Sequence, residues 1–278
     1  MKTGSRGGGF VADGGVLTQI ALHESASNSI KVLINRKAAP EAETTKTVAE
    51  TLLAHVARRC SITITHEVRV PIGSGFGSSA AGALGTALAL AKALRLNLTY
   101  NQLGTIAHNA EVKCRTGLGT VGPIMQGGCV LTLEPGAPGK SVIDRIPVSP
   151  DHVIVAGTYG PMPTKTVLSS PNKCRAVNKW GRKTLENILA DPSLENFLAR
   201  CFEFAEKTGF MTRRLRNLAK LANEAGAIGS AQNMVGEAIH SLTTLDNADR
   251  VVQAFMQVLP EEQILVAKID LQGARLVG

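Results

Sequence analysis

The sequence predicts an α+β fold, because its strand and helix patterns do not alternate regularly along the chain. Two strand patterns, at residues 17–21 and 29–35, come before the first helix, and residues 169–221 are mainly helical in pattern. A strand pattern at 61–70 leads into a glycine-rich loop, and the alanine- and leucine-rich residues 80–94 after it predict a helix. These observations favour two packed α/β layers over a doubly wound sheet.

The other elements follow from helical spacing or from short β-prone runs. Helices are expected at 44–59 and 101–113, and strands at 129–134, 152–158, 264–270 and 274–277. The stretch 147–152 precedes a new strand pattern and is the best boundary candidate. We therefore expect two domains, at 1–150 and 151–278.

Composition narrows the class of protein. The 278 residues are 44% hydrophobic, and their apolar runs end well before the roughly 18 residues that a membrane-spanning helix requires. The N-terminus is rich in glycine rather than apolar, so no signal peptide is expected. Five scattered cysteines without a Cys-x-x-Cys pair favour reduced thiols in the cytoplasm over a zinc site or a disulfide framework.

The net charge of +8 has two readings, a nucleic-acid surface or attraction of small anionic substrates. Lysine and arginine are dispersed except between 207 and 220, and aromatic residues make up only 4% of the chain. This pattern favours nucleotides and carboxylates as ligands. No nucleic-acid partner and no membrane association are expected.

The glycine loop reads Pro71-Ile-Gly-Ser-Gly-Phe-Gly-Ser-Ser-Ala-Ala81. A loop between a strand and a helix directs backbone N–H groups and the positive end of the helix dipole at one point, where a phosphate binds well. Gly73, Gly75 and Gly77 allow close approach of the backbone, and Ser78 and Ser79 can cap the helix, contact phosphate or ligate a metal. The alternative is a plain strand–turn–helix with a serine cap. No lysine follows the last glycine, so the loop is not a Walker A motif.

The ordered pattern of proline, glycines, serines and alanines in this loop resembles the phosphate loop of the GHMP small-molecule kinases, with Phe76 where that family most often has leucine. The resemblance implies ATP as the phosphate donor. It implies the following nucleotide-binding residues: Pro71, Gly73, Ser74, Gly75, Phe76, Gly77, Ser78, Ser79 and Ala80.

Glu111 lies on the helix before a second glycine-rich segment, residues 116–128. In the GHMP kinases a glutamate on the corresponding helix binds Mg²⁺ together with a serine of the phosphate loop. The resemblance therefore implies a metal site at Glu111 with Ser78 or Ser79, and we assign Ser79; oxygen ligands are those that a hard cation prefers. The alternative is a glutamate that only faces solvent.

Thr120 occupies the position at which several family members carry an aspartate used as a base. The obvious proton acceptor is thus missing, although phosphoryl transfer depends mainly on positioning and charge neutralisation. His108 is near in sequence, but a single histidine on a helix is usually structural. The stretch 227–237, where the family keeps a third glycine motif, lacks the run of glycines.

Arg6 lies in Gly4-Ser-Arg-Gly, where glycines permit close backbone approach while the guanidinium pairs with a carboxylate. The alternative is a flexible terminus. We assign Arg6 and Lys165 as catalytic residues, the latter in Thr164-Lys165, which by itself is a weak signal. The substrate-binding residues are expected to be Ser5, Arg6, Gly117 and Thr120.

Further elements resemble one branch of the family, the archaeal pantoate kinases. They are Gly4-Ser-Arg-Gly, Thr116-Gly-Leu-Gly119, Pro135-Gly-Ala-Pro-Gly139, Thr164-Lys165, residues 230–236 and Asp270-Leu-Gln-Gly-Ala-Arg275. The resemblance implies ATP- and Mg²⁺-dependent phosphorylation of pantoate to 4-phosphopantoate, toward coenzyme A. It also implies an N-terminal S5-like domain, a C-terminal ferredoxin-like domain and a homodimer.

Three alternatives to this function stay open: another GHMP kinase for a hydroxy acid or sugar, a non-catalytic paralogue that binds a nucleotide or metabolite, and, ranked lowest, a nucleic-acid binder. The family usually has a further strand and a Pro-Gly-His-type loop before Gly4, whereas this sequence begins at Met1-Lys-Thr. That difference predicts a truncated start or the loss of the segment in this lineage.

Overall fold

A computed structural model of the protein describes residues 2–162 and 171–277, and the α+β fold class is confirmed. The chain forms two compact units. The first contains Met1–Val70, Gly77–Asp144 and Asp270–Gly278, and the second contains Pro71–Phe76 and Arg145–Ile269. The expected division into an S5-like domain at 1–150 and a ferredoxin-like domain at 151–278 stays a prediction.

The first unit contains two sheets. Its four-stranded sheet has the order β2-β5-β3-β4, with β2 (Val16–Glu24) antiparallel and β3 (Ser29–Ile34) parallel to the central β5 (Cys60–Val68), and with the short β4 (Lys37–Ala38) at one edge. Residues of β5 alternate between buried and partly exposed, as expected for a strand with one face on the core.

The three-stranded sheet of the first unit has the order β1-β6-β7. Its strands are β1 (Gly7–Phe10), β6 (Cys129–Glu134) and β7 (Val142–Ile146). Strand β1 runs antiparallel to β6, with Gly7 opposite Thr132. This pairing anchors the chain directly after the predicted substrate residues Ser5 and Arg6.

Four helices pack in the first unit: α1 (Glu43–Leu53), α2 (Ser78–Leu94), α3 (Tyr100–Cys114) and the short α4 (Val121–Gln126). Helix α2 is apolar almost all round and is therefore deeply buried in the core. Helix α3 begins at a capping box, in which Thr99 and Gln102 satisfy each other's backbone N–H groups. This start fixes the helix that carries Glu111.

The second unit is built on an antiparallel sheet with the order β11-β8-β10-β9. Its strands are β8 (His152–Pro161), β9 (Gly229–Gln232), β10 (Gly236–Thr244) and β11 (Ile264–Lys268). Within the described residues its helices are α5 (Pro171–Ala190), α6 (Leu194–Lys207), α7 (Arg213–Glu224), α8 (Leu245–Met256) and a 3₁₀ turn at Glu261–Gln263. Helix α7 buries Leu215 and Leu218 and leaves its arginines exposed, as its amphipathic pattern predicts.

Two expected elements differ in the structure. The helix expected to reach residue 59 ends at Leu53, and the chain turns before it enters β5. The strand expected at 274–277 was wrong. Asp270 accepts hydrogen bonds from the backbone N–H groups of Gln272 and Gly273 at 2.9 and 3.1 Å, and Gly273 has a φ of +78°. This turn reverses the chain, so that no strand forms.

Among the helices of the described ranges, none combines the length and the apolar character needed to span a membrane.

Candidate active site

The glycine loop has the backbone geometry of an anion-binding loop. Gly73, Gly75 and Gly77 have φ values of +76°, +83° and +69°, a region that favours glycine. Gly77 is the N-cap of α2, and no side chain from the described ranges caps this helix end. The N–H groups of the first turn therefore face a position where a phosphate would satisfy them.

Residues of the second unit support the first half of this loop. Ser74 is only 1% exposed, and a Cβ added at Gly236 would overlap its backbone. A Cβ added at Gly75 would lie 2.9 Å from the Asn233 backbone oxygen. The loop backbone thus packs directly on the turn between β9 and β10, which occupies part of the degenerate third glycine motif.

Asn233 is held in turn by His240 of β10, whose Nδ1 lies 2.7 Å from the Asn233 side-chain oxygen. Burial lowers the pKa of His240 to about 4, since the charged imidazolium would lose its hydration. The histidine is therefore neutral at physiological pH. In that state it donates its Nδ1 proton to Asn233.

A carboxylate and two hydroxyl groups meet at the start of α2. Ser79 Oγ donates to Glu111 Oε1 at 2.5 Å, and Thr116 Oγ1 donates to the same oxygen at 2.6 Å. Glu111 is only 3% exposed, whereas Ser79 and Thr116 are exposed on either side of it. The structure thus brings together the two predicted metal ligands, Ser79 and Glu111.

The chemistry of these groups fits Mg²⁺. A hydroxyl and a carboxylate are hard oxygen donors, and ATP phosphates and water would complete the coordination. Gly117 gives the carboxylate its space, because a Cβ at that position would overlap Glu111 Oε2. Elsewhere, in the ranges that the structure describes, no group of three His, Cys, Asp or Glu side chains could hold a metal ion.

The predicted substrate residues Ser5 and Thr120 lie along the second glycine segment. A Cβ added at Gly119 would overlap Ser5 Oγ, so the N-terminal segment packs directly against that glycine. The next residue, Thr120, has its Cγ2 methyl 2.8 Å from a Cβ added at Gly77. Thr120 therefore stands beside the glycine loop, at the start of α2.

Arg6 is exposed, and its Nε donates to the Leu133 carbonyl oxygen of β6 at 2.8 Å. This bond fixes one edge of the guanidinium. The Nη edge is the part that can form a bidentate pair with a carboxylate. Lys165 and Thr164 lie outside the described residues, so their assignment stays a prediction.

Gly127, Gly128 and the nearby His108 have structural roles. A Cβ added at Gly127 would lie 2.7 Å from the Asp270 carbonyl oxygen, and the Gly128 N–H donates to that same oxygen at 2.7 Å. These two glycines therefore accommodate the C-terminal segment. His108 is buried, and its Nε2 lies 2.9 Å from the Thr3 carbonyl oxygen, which also makes it structural.

Sequence reasoning assigned no role to Thr116 or Thr44, although both belong to the polar network at Glu111. Thr44 Oγ1 lies 2.9 Å from Thr116 Oγ1. Thr116 could have been found, since it adjoins the predicted substrate residue Gly117. Thr44 carries no local signal, because it begins a helix far away in sequence.

This chain is similar to several known proteins. The family described as GHMP kinases N terminal domain matches residues 43–128, which include the glycine loop and Glu111. The pantoate kinase of Thermococcus kodakarensis is 35% identical over 66% of this chain and 60% of its own length, less than two thirds of that relative. The pantoate kinase of Methanospirillum hungatei is 30% identical over 92% of this chain and 84% of its own length.

One solved structure extends the likeness to the whole fold. It is described as a phosphotransferase related to the CoA biosynthesis pathway, and it superposes with a TM-score of 0.89 at 31% identity. The superposition covers 100% of this chain and 92% of that structure.

Proposed function

This chain belongs to the GHMP kinase family, and we propose that it transfers the γ-phosphate of ATP to the primary hydroxyl of pantoate, giving 4-phosphopantoate, a step toward coenzyme A. The observation that carries the proposal is the contact of Ser79 with Glu111 directly after the glycine loop. This arrangement places a hydroxyl and a carboxylate beside the N–H groups that would cradle the phosphates.

The nucleotide would lie along Gly73–Gly77 and the first turn of α2, where backbone N–H groups contact its phosphates. Ser79 and Glu111 would hold Mg²⁺, which would neutralise the negative charge of the ATP phosphates during transfer. Because Ser79 donates its only proton to Glu111, the lone pairs of Oγ remain for a cation.

Arg6 would bind the carboxylate of the substrate through its Nη edge, with Ser5 beside it. Lys165 stays the second proposed catalytic cation. Thr120 has no group that accepts a proton near neutral pH. Catalysis would thus rely on positioning and charge neutralisation, which supply most of the rate in phosphoryl transfer.

We also infer a cytoplasmic homodimer. All five cysteines lie within the described ranges and are free thiols, which supports a reducing compartment such as the cytoplasm. The dimer rests on the family resemblance. Light scattering of the purified protein would measure its mass in solution.

A coupled assay tests the proposed activity. The purified chain is supplied with ATP, Mg²⁺ and pantoate, and ADP release is followed in parallel with homoserine and mevalonate as acceptors. We expect release that depends on pantoate, with a product heavier by one phosphoryl group. No turnover of pantoate would reject the substrate assignment, and turnover of another acceptor would indicate a different GHMP kinase.

Thr120 favours a second candidate, a non-catalytic paralogue that binds nucleotide, because it supplies a methyl and a hydroxyl where a base would be expected. Measuring ATP affinity beside turnover separates the two functions. Tight binding of ATP without turnover of any acceptor would support the paralogue.

A further inference from the structure

A chain of hydroxyl groups runs from α1 to the carboxylate of Glu111. Thr44 Oγ1 lies 2.9 Å from Thr116 Oγ1, which donates to Glu111 Oε1 at 2.6 Å. Thr44 is buried in the second position of α1, so its hydroxyl is fixed by the packing of that helix. These hydrogen bonds therefore connect the buried face of α1 to the Glu111 carboxylate.

The direction of these hydrogen bonds follows from counting protons. An ionised carboxylate can only accept, so the single hydroxyl proton of Thr116 is given to Glu111. The oxygen of Thr116 must then accept the proton of Thr44. The hydroxyl groups of Thr44 and Thr116 thus each have one defined orientation. The hydrogen bond from Thr116 to the carboxylate is charge-assisted and therefore strong.

The end of α3 explains why Thr116 can reach back to Glu111. Arg115 has a φ of +58°, in the left-handed region. The Thr116 N–H donates to the Glu111 carbonyl at 3.0 Å and the Arg115 N–H to the Val112 carbonyl at 3.3 Å. These paired bonds form a Schellman motif, which returns the chain over the last turn of the helix.

The hydrogen bonds from two hydroxyl groups to Oε1 of Glu111 also fix the position of the other carboxylate oxygen, Oε2. Both Ser79 and Thr116 donate to Oε1, whereas Oε2 lies over Gly117, which has no side chain. Ser79 is itself a proposed metal ligand and would have to serve both the cation and the carboxylate. Thr116 is not a proposed metal ligand, so its hydrogen bond can serve only to orient the Glu111 carboxylate.

We propose that Thr116, oriented by Thr44, is a positioning residue that holds the Glu111 carboxylate ready to bind Mg²⁺. This inference rests on the proposed function, because it assumes that the metal binds at Ser79 and Glu111. Hydrogen bonds to a metal ligand from outside the coordination sphere typically raise metal affinity by about 10- to 100-fold. Thr116 would do so here from an exposed position.

The test measures cation binding separately from catalysis. Mn²⁺ is titrated into the wild-type protein and its variants, each saturated with a non-hydrolysable ATP analogue, and free Mn²⁺ is followed by electron paramagnetic resonance. For Thr116→Val we expect Mn²⁺ affinity to fall by about tenfold. Affinity for the analogue in EDTA should stay at the wild-type value, and Thr116→Ser should restore Mn²⁺ binding.

Two variants on α1 distinguish an effect on the orientation of the Glu111 carboxylate from an effect on the packing of α1 against α3. Thr44→Val removes the donor to Thr116 and should weaken Mn²⁺ binding less than Thr116→Val does. Thr47→Val is the control, because Thr47 Oγ1 also links α1 to α3, at 3.5 Å from Cys114 Sγ, without contacting the carboxylate. It should leave Mn²⁺ affinity unchanged.

The outcomes distinguish this inference from the proposed function. Equal effects of Thr116→Val and Thr47→Val, or a wild-type complex that binds no Mn²⁺, would overturn the positioning role. If the wild-type protein does not phosphorylate pantoate but Thr116→Val still weakens Mn²⁺ binding, the substrate assignment fails and the positioning role stands. Thermal melts of all variants show whether each remains folded.

Discussion

Gly117 and Glu111 fit together so closely that no side chain can be added between them. A Cβ at Gly117 would overlap Glu111 Oε2, and the neighbouring oxygen Oε1 is already fixed by two hydroxyl groups. The carboxylate therefore cannot move aside without losing a hydrogen bond. The missing side chain at Gly117 is part of the site geometry.

Gly117→Ala should displace the carboxylate while leaving the fold intact. A shift of about 1 Å in a catalytic group commonly costs on the order of 100-fold in rate, so we expect a loss of that size in kcat/KM for pantoate. Steady-state kinetics and a thermal melt measure the two effects. Gly9→Ala is the matched control, because a Cβ there would meet nothing within 4 Å. Equal activity of the two variants would contradict the prediction.

Glu111→Gln should show how much activity depends on the negative charge of this side chain, because the substitution keeps the shape of the side chain. The amide oxygen can still accept from Ser79 and Thr116, but the negative charge that attracts Mg²⁺ is gone. We expect kcat/KM to fall by about 100-fold or more, since a bound metal contributes several kcal/mol to transition-state stabilisation. ATP-analogue affinity in EDTA should not fall. Glu50→Gln, at an exposed position of α1, is the control and should behave as wild type.

The conformation of the glycine loop and the place of Glu111 on a helix could be predicted because their signals are local. A strand, three glycines, two serines and an apolar helix stand next to one another, and backbone sterics allow few other conformations there. The Ser79–Glu111 contact was expected from the family resemblance, and it is present at 2.5 Å.

The supporting contacts could not be predicted, because they join distant parts of the chain. Thr44 and Thr116 are 72 residues apart, and nothing near either residue indicates the other. In the sequence Gly127 belongs to a glycine-rich segment typical of a ligand site. In the structure a side chain at this position would collide with the backbone of Asp270. Tertiary packing and ligand approach both require a glycine, so sequence alone does not distinguish the two reasons.

Two glycines of the glycine loop should respond differently to substitution by alanine. Gly73 and Gly75 both have positive φ, so each variant incurs a left-handed strain of about 1–2 kcal/mol. At Gly73 the new Cβ would lie 3.5 Å from Pro161 Cβ, an ordinary contact, whereas at Gly75 it would lie 2.9 Å from the Asn233 backbone oxygen.

We therefore expect Gly75→Ala to destabilise the protein by roughly 1–3 kcal/mol more than Gly73→Ala, the usual cost of overpacking. Urea unfolding measures the difference, and ATP-analogue affinity should fall further for Gly75→Ala. If both variants lose the same stability, the loop does not pack on Asn233 as described.

Two buried histidines make stability depend on pH. His66 lies between Thr18 Oγ1 and Thr45 Oγ1 at 2.9 and 3.0 Å, and burial lowers its pKa to about 4. The pKa of His240 is also lowered to about 4 by burial. In the unfolded chain a histidine has a pKa near 6.5, so between these values the unfolded state binds protons that the folded state does not.

The stabilising contribution is therefore complete above pH 6.5 and is lost as the pH falls toward 4, by up to about 1.4 kcal/mol per pH unit for each histidine. Urea unfolding at about pH 7.5, 6.0, 5.0 and 4.5, a series that runs from above the unfolded-state pKa toward the folded-state pKa, measures the slope. His66→Gln should be less stable at neutral pH and show a shallower slope than wild type. His23→Gln, at an exposed position, should keep the wild-type slope. A slope that His66→Gln leaves unchanged would show that His66 is protonated equally in both states.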